Sequence, residues 1–268
     1  MDNILWSIYH NVLIPNLPPH KVLDITSTQA KELIKYYNVY FIRWISKWDI
    51  AKSDFWYIIK DEKEDLALYN SNNRRKIRKA LKTYDIKLVS KDVISKQGYD
   101  VYINAFKRYK TFLKPTSQQA FIDSIMHSEC EFWGVFFHDK LIAYAQNIIQ
   151  DNSCNYSVIK LHPDYLKHYP AYGLFYRMNI YYLNEKNLLY VNDGAKSLSH
   201  DTNIQNFLID KFRFRKAYCK LDIVYRKDIE ILVYLLYPFK RFIFDSHNKI
   251  LKKLEVLLKH EEIRRSCD

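Results

Sequence analysis

The chain has 268 residues, 48% of them hydrophobic, which suits a folded protein with a sizeable core and excludes a disordered one. Only four glycines occur, at Gly98, Gly134, Gly173 and Gly194. A P-loop or a GxGxxG dinucleotide loop needs several glycines close together so that backbone can approach phosphate, and neither can be built here. The net charge of +12 points to an anionic partner, such as a CoA pyrophosphate, a nucleotide, RNA or an acidic membrane surface, or else to a codon bias that enriches lysine throughout.

Met1–His10 lacks the basic start and apolar run of a secretory signal. No apolar stretch reaches the length of a membrane span, so a cytoplasmic protein is expected, with the inner face of the membrane as the alternative location. Cys130, Cys154, Cys219 and Cys267 form no CxxC pair and read as free thiols. The nine histidines show no metal-ligand spacing, and no metal is expected.

In chain order, Val22–Ile25 reads as a short strand, and Thr26 or Ser27 caps a helix that reaches Tyr37. Val39–Ile45 and Phe55–Ile59 are β-branched and aromatic, hence strands. Ser71 then caps a helix to Lys82, in which Ile77 and Leu81 form an apolar pair while Arg74, Arg75, Arg78, Lys79 and Lys82 crowd the other faces. A strand at Ile86–Val89 and helices at Tyr99–Phe112 and Ser117–His127 follow. Phe132–Ile149 carries the strongest hairpin signal, two apolar-aromatic runs around the polar turn His138-Asp139-Lys140. Asn155–Leu161 is the next strand. Pro170, acceptable in a first helical turn, opens a helix to Asn184. Leu188–Asn192 is a strand, Asp201–Phe212 an amphipathic helix, and Phe214–Tyr225 a last strand. The tail carries Ile250, Leu251, Leu254, Leu257 and Leu258 at helical spacing with lysines between them.

From Phe132 onward, the order strand, strand, strand, helix, strand, helix, strand resembles that of the GNAT (N-acetyltransferase) superfamily. The resemblance implies an α/β (α+β) fold, with a mixed, largely antiparallel sheet flanked by helices. Lys167–Leu174 lies between a strand and a helix, where the family has its Q/R-x-x-G-x-G/A acyl-CoA loop; here it reads His168-x-x-Ala171-x-Gly173. Residues 208–215 resemble the family's late helix and Gly-Phe turn, with Arg213 in place of the glycine. The match is nearer to the Fem-like branch. Ser71, Arg75, Ile77, Arg78, Ala80 and Lys82 follow its basic helix, Tyr169-Pro170 and Leu174 its helix start, and Asp193-Gly194 the Asp-Gly after its next strand. The resemblance covers roughly Phe55 to Tyr225. It divides the chain into an N-terminal α/β segment (1–54), either packed on the main domain or part of it, an acyltransferase domain (55–226) and a basic helical C-terminal appendage (227–268). It also departs from the family: the loop's arginine and first glycine are His168 and Ala171, Pro170 removes an N–H donor, and the frequent catalytic tyrosine falls on Ile209.

What the resemblance implies is transfer of an acyl group, expected to be acetyl, from acyl-CoA to an amine or hydroxyl. The acceptor would be a small molecule, such as a sugar or cell-envelope precursor, or a lipid-linked one. The turn at Ala171–Leu174, which includes Tyr172 and Gly173, would offer helix N–H groups to the pyrophosphate, with His168 and Tyr169 beside it. The strand end at Lys160 and Leu161 would donate to the acyl carbonyl. Asp193 is the first candidate base and His200 the second, although Asp-Gly after a strand is also a common turn and His200 also suits a helix start. Arg74, Arg75 and Arg78 would take an anionic acceptor or a CoA phosphate. In the alternative reading they would bind tRNA, and the donor would be an aminoacyl-tRNA. A third reading, a non-catalytic binding protein, is motivated by Ile209 and the altered loop. The tail is expected to pack on the body or on a sister subunit, or to lie on an anionic membrane.

Overall fold

The computed structural model describes residues 4–109, 114–198, 203–244 and 249–266. They fold as mixed α/β structure in two compact units. The first comprises 1–58, 195–203 and 216–268, the second 59–194 and 204–215.

In the first unit, β1 (Trp6–Tyr9) and β2 (Val12–Pro15) form a hairpin, closed by His10 and Asn11, both left-handed at φ 50° and 61°. β2 pairs in parallel with β3 (Phe41–Ile50), and β3 pairs antiparallel with β10 (Arg215–Tyr225). Alternation along β3 sets two buried faces. Ile42 and Trp44 pack with Ala30 and Ile34 of α1 (Ser27–Tyr37), which Thr26 caps through a reciprocal pair with Gln29. Phe41 and Ile45 join Leu221, Ile223 and Tyr225 of β10 on the other face. That face is covered by Val233 of α7 (Lys227–Leu236) and Ile263 of α9 (Lys249–Ser266), with α8 (Lys240–Ile243) between these helices in sequence. β4 (Trp56–Lys60) carries the chain into the second unit.

The second unit holds the strand order β9-β8-β7-β6-β5. β5 (Asp85–Val89), β6 (Glu131–Phe137), β7 (Lys140–Gln150) and β8 (Ser153–Leu161) pair antiparallel in turn, and β9 (Tyr190–Ala195) joins β8 in parallel. Two helices, α3 (Lys91–Phe106) and α4 (Gln118–Met126), pack Ile94, Val101, Phe121 and Ile125 against Phe132, Leu141 and Tyr144. Three more complete the unit: α2 (Ser71–Thr83), α5 (Pro170–Asn179) and α6 (Asn203–Phe212).

The mixed, mostly antiparallel sheet structure flanked by helices is the expected class. Several elements differ locally. Val22–Ile25 is not a strand. The cap of α2 is Asn70, whose side chain accepts the Asn73 N–H, rather than Ser71. After Asn179 the helix widens into a π-helical turn over Ile180–Glu185. In the first unit β10 takes β3 as its antiparallel partner, and α7 and α9 bury their apolar faces on those two strands.

Candidate functional site

The opening between β8 and β9 is the feature that sets this unit apart. Their parallel pairing runs through Ser153↔Tyr190, Cys154↔Val191 and Asn155↔Asn192, and among the described residues it stops there. β8 continues to Leu161 on β7 alone. Just past the last shared pair, Gln146 faces Val158 while Asn147 faces Tyr156, so Ser157 is an extra, bulged residue. A bulge turns backbone groups out of the ladder and re-aims them. Parallel strands that part company leave main-chain donors and acceptors facing a gap at their carboxyl ends, where ligands bind in α/β sheets.

Asp193 is the first β9 residue beyond the shared stretch. Desolvation alone lifts its carboxyl from an ordinary 3.8 to about 7. Its neighbour Asn192 donates to the Cys154 carbonyl across the strands and accepts the Gly194 N–H. Gly194 sits at φ +86°, a conformation that costs glycine little. The Asp-Gly pair thus lies within β9 and places there a carboxyl poised to exchange a proton near neutrality.

At the far end of β8 the chain makes a short turn and enters α5. Tyr169 caps the helix in the left-handed region (φ 63°, ψ 43°) and Pro170 occupies the first turn. The Tyr172 and Gly173 N–H groups both return to the Tyr169 carbonyl. With Pro170 lacking an N–H, the Ala171 N–H is the one left over at the start of α5 among the described residues. Backbone capture of phosphate at this terminus is thus narrower than the loop pattern implies. Side-chain charge compensates. α2 packs along α5, and Lys76 Nζ stands 5.3 Å from the Tyr169 ring centre and 5.1 Å from that of Tyr172, 3.4 Å from the Tyr172 hydroxyl. Lys79 Nζ is 5.8 Å from the Tyr169 ring.

The expected site residues therefore divide. His168 and Tyr169 belong to the turn, and Ala171 to the helix start, as expected from the sequence. Tyr172, Gly173 and Leu174 are buried. A Cβ on Gly173 would lie 2.5 Å from Ile86 Cδ1 and 3.0 Å from Ala80 Cβ, so this glycine permits the close approach of α5 to α2 and β5. Lys160 and Leu161 are still paired to β7, and Lys160 Nζ donates to the Tyr109 hydroxyl at 2.9 Å. Of the three arginines, Arg74 caps the Tyr69 carbonyl at 2.6 Å and Arg75 holds Asn72, while Arg78 is exposed. The cations that reach the α5 turn are Lys76 and Lys79. The sequence holds the signal for both, since Lys76 lies three residues after buried Asn73 and four before buried Ala80, but that face was legible only once the helix partner was known. Ile209 lies on α6, and His200 lies outside the described residues.

A buried polar network braces this region. Asn179 of α5 donates to Glu64 (2.7 Å) and accepts from the Tyr156 hydroxyl (2.8 Å), one residue before the bulge. The Tyr69 hydroxyl also donates to Glu64 (2.7 Å). Lys60 Nζ, fully buried, lies 3.8 Å from the same carboxylate and donates to the Phe212 carbonyl at 3.3 Å. Burial raises the Glu64 pKa, and Lys60, Tyr69 and Asn179 pull it back. A cavity of about 280 Å³ lies in the first unit among α1, β10, α7 and α9. Its Arg264 and Arg265 are already answered by Glu261 (2.8 and 2.7 Å), which makes it a poorer anion site than the α5 turn.

No protein-family model matches the sequence, and no curated protein matches it significantly in sequence. Solved structures do match in fold. FemX superposes with a TM-score of 0.58 at 11% identity, over 87% of this chain and 86% of that one. The C-terminal domain of a lysylphosphatidylglycerol synthetase from Agrobacterium fabrum gives 0.53 at 11%, over 87% and 83%. L-PGS from Bacillus licheniformis gives 0.53 at 12%, over 98% and 86%. The chain has the fold that these proteins share.

Proposed function

We propose that the protein is an acyltransferase that moves an acyl group from acyl-CoA, bound at the β8/β9 opening, to an amine or hydroxyl acceptor. The observation that carries this reading is Asp193, a carboxyl titrating near 7, one residue past the point where β8 and β9 part. Acyl transfer has three needs, and each has a residue here. The attacking amine or hydroxyl must lose a proton, and Asp193 in its ionised form is the base. The thioester carbonyl needs a donor as charge builds on its oxygen; the N–H groups of β8 around the Ser157 bulge supply it. The pyrophosphate needs positive charge, supplied by Lys76, Lys79 and the Ala171 N–H. The acceptor's nitrogen or oxygen forms the new bond to the acyl carbon, the carbon–sulfur bond breaks, and CoA leaves as the thiol.

Titration calorimetry with acetyl-CoA tests the binding half. Micromolar affinity is expected in the wild type, and a loss of about tenfold or more in Lys76→Glu/Lys79→Glu. This pair is a better probe than Gly173→Asp, which would break the packing of α5 on Ala80 and Ile86. Asp193→Asn should keep CoA affinity while acyl transfer falls by about 10²–10⁴. Equal turnover in Asp193→Asn would remove Asp193 from the mechanism.

A second reading, an aminoacyl-tRNA donor, is favoured by one observation: Arg75, Arg78 and Lys79 form an exposed basic row on α2. Here tRNA binding would fall steeply with salt and weaken in Arg75→Ala/Arg78→Ala, whereas CoA would not bind.

A further inference from the structure

One helical path in the first unit is apolar on both sides. α7, the turn Tyr237–Phe239 and α8 run without a break from Lys227 to Ile243. Toward the core this path buries Val233 and Ile243. Away from it, Ile231, Tyr234 and Leu235, Phe239 and Phe242 lie three or four residues apart, Tyr234 and Leu235 being adjacent, which makes a stripe along this helical path. They are 52, 73, 59, 58 and 84% exposed, with Leu232 at the edge at 38%. Isolated exposed apolar residues need no explanation, but a continuous stripe of five large ones marks an interaction surface.

The composition of the surface selects its occupant. At the Phe242 end of the stripe Arg241 is exposed, with Lys252 exposed near the start of α9, while at the α7 start exposed Lys227 stands beside the exposed carboxylates Asp228 and Glu230. Two aromatic rings and a tyrosine with a polar tip are the side chains that settle at a headgroup boundary. The chain as a whole carries +12, so a second copy would meet like charge while an anionic bilayer would attract it. Among the described residues no helix is long and apolar enough to cross a membrane, so contact would be lateral. We infer that the α7–α8 stripe docks on an anionic lipid bilayer, with Ile231, Leu235, Phe239 and Phe242 entering the headgroup boundary and Arg241, at the Phe242 end, facing lipid phosphates. α9, in the part of the tail expected either to pack on the body or a sister subunit or to lie on an anionic membrane, turns Leu258 and Ile263 into the core.

Vesicle flotation tests this with the full chain. Wild-type protein should float with vesicles containing phosphatidylglycerol and stay behind with pure phosphatidylcholine. Leu235→Ser/Phe239→Ser/Phe242→Ser should bind about tenfold more weakly, since each side chain withdraws apolar area from the bilayer. These side chains are exposed, so an unchanged thermal melt is expected. Should the triple variant lose its fold, Arg241→Glu decides the matter, with binding weakened and less sensitive to salt. No flotation of the wild type, or equal flotation of a folded triple variant, overturns the inference. So does a dimer in sedimentation velocity that the triple variant breaks while vesicles leave the wild type unbound, which would assign the stripe to a second copy.

Discussion

At the scale of single residues, Asp193 makes a two-sided pH prediction. Its carboxyl titrates near 7 in the fold against an ordinary 3.8, so between about pH 4 and 7 the folded state holds a proton that the unfolded state has lost. Stability contributed at Asp193 is therefore present at low pH and lost as pH rises through 7, by at most about 4 kcal/mol. Activity runs the other way, because the base works only when ionised. Denaturant melts across pH 4–8 should show wild type losing stability relative to Asp193→Asn as pH rises, while the wild-type rate climbs to a plateau above about 7. Arg213 makes a different point. It sits at φ 59°, where its resemblance to the Gly-Phe turn expects glycine, and its guanidinium forks onto Glu62 (2.6 and 3.2 Å). The ion pair is half exposed and contributes under about 1 kcal/mol, whereas the left-handed conformation costs a non-glycine residue about 1 kcal/mol. Arg213→Gly should thus leave the melting midpoint within about 1 kcal/mol of wild type, a near cancellation that thermal unfolding can check.

At the scale of elements, the candidate site depends on how α5 is fixed to β8, and Asn179 is the residue that does it. It joins Glu64 to Tyr156 inside the second unit, with no exposure of its own. Asn179→Leu would leave the Tyr156 hydroxyl without this partner and the buried Glu64 carboxylate with one donor fewer. A loss of about 2–4 kcal/mol in urea denaturation is expected, because the groups left behind are desolvated and unpaired. A loss under about 1 kcal/mol would show that water replaces the amide. None of this network was legible from sequence. Lys60, Glu64, Tyr156 and Asn179 are polar residues scattered over 120 positions, and nothing local in their spacing links them. The elements that carry it were legible. The hairpin around His138 and Asp139, the strand into Leu161 and the helix from Pro170 all follow from apolar runs bounded by turn residues. The β1–β2 hairpin was missed, since its strands have four residues each and its turn is His10-Asn11 rather than a glycine pair.

At the scale of the whole molecule, what the sequence could not reveal was which distant segments share a sheet. Local pattern marks β3 and β10 as strands, but their pairing spans the whole second unit in sequence, and it is this pairing that makes the tail structural. Read alone, 227–268 is a basic helical appendage. In the fold its helices roof β3 and β10. Val233, Leu258 and Ile263 are at most 3% exposed, and His260 accepts Arg43 Nη1 at 2.9 Å while its own Nδ1 donates to the Val256 carbonyl at 2.7 Å. Burying three such aliphatic side chains is worth about 5–9 kcal/mol together, comparable with the entire stability of a domain of this kind. Cutting the chain after Arg226 would also strand Arg43, a largely desolvated guanidinium, without its imidazole partner. The truncated protein should therefore lose the first unit cooperatively. In hydrogen exchange β3 and β10 would lose protection, and limited proteolysis would cut within 1–58. A dispensable appendage would instead leave both strands protected. His260 offers a milder version of the same experiment. Burial and the neighbouring Arg43 depress its pKa from 6.5 to about 4, so the folded state refuses a proton that the unfolded state binds. Stability contributed there is complete above 6.5 and lost as pH falls toward 4, by at most about 3 kcal/mol. Acid should therefore loosen α9 and the first unit, and His260→Gln should flatten that response.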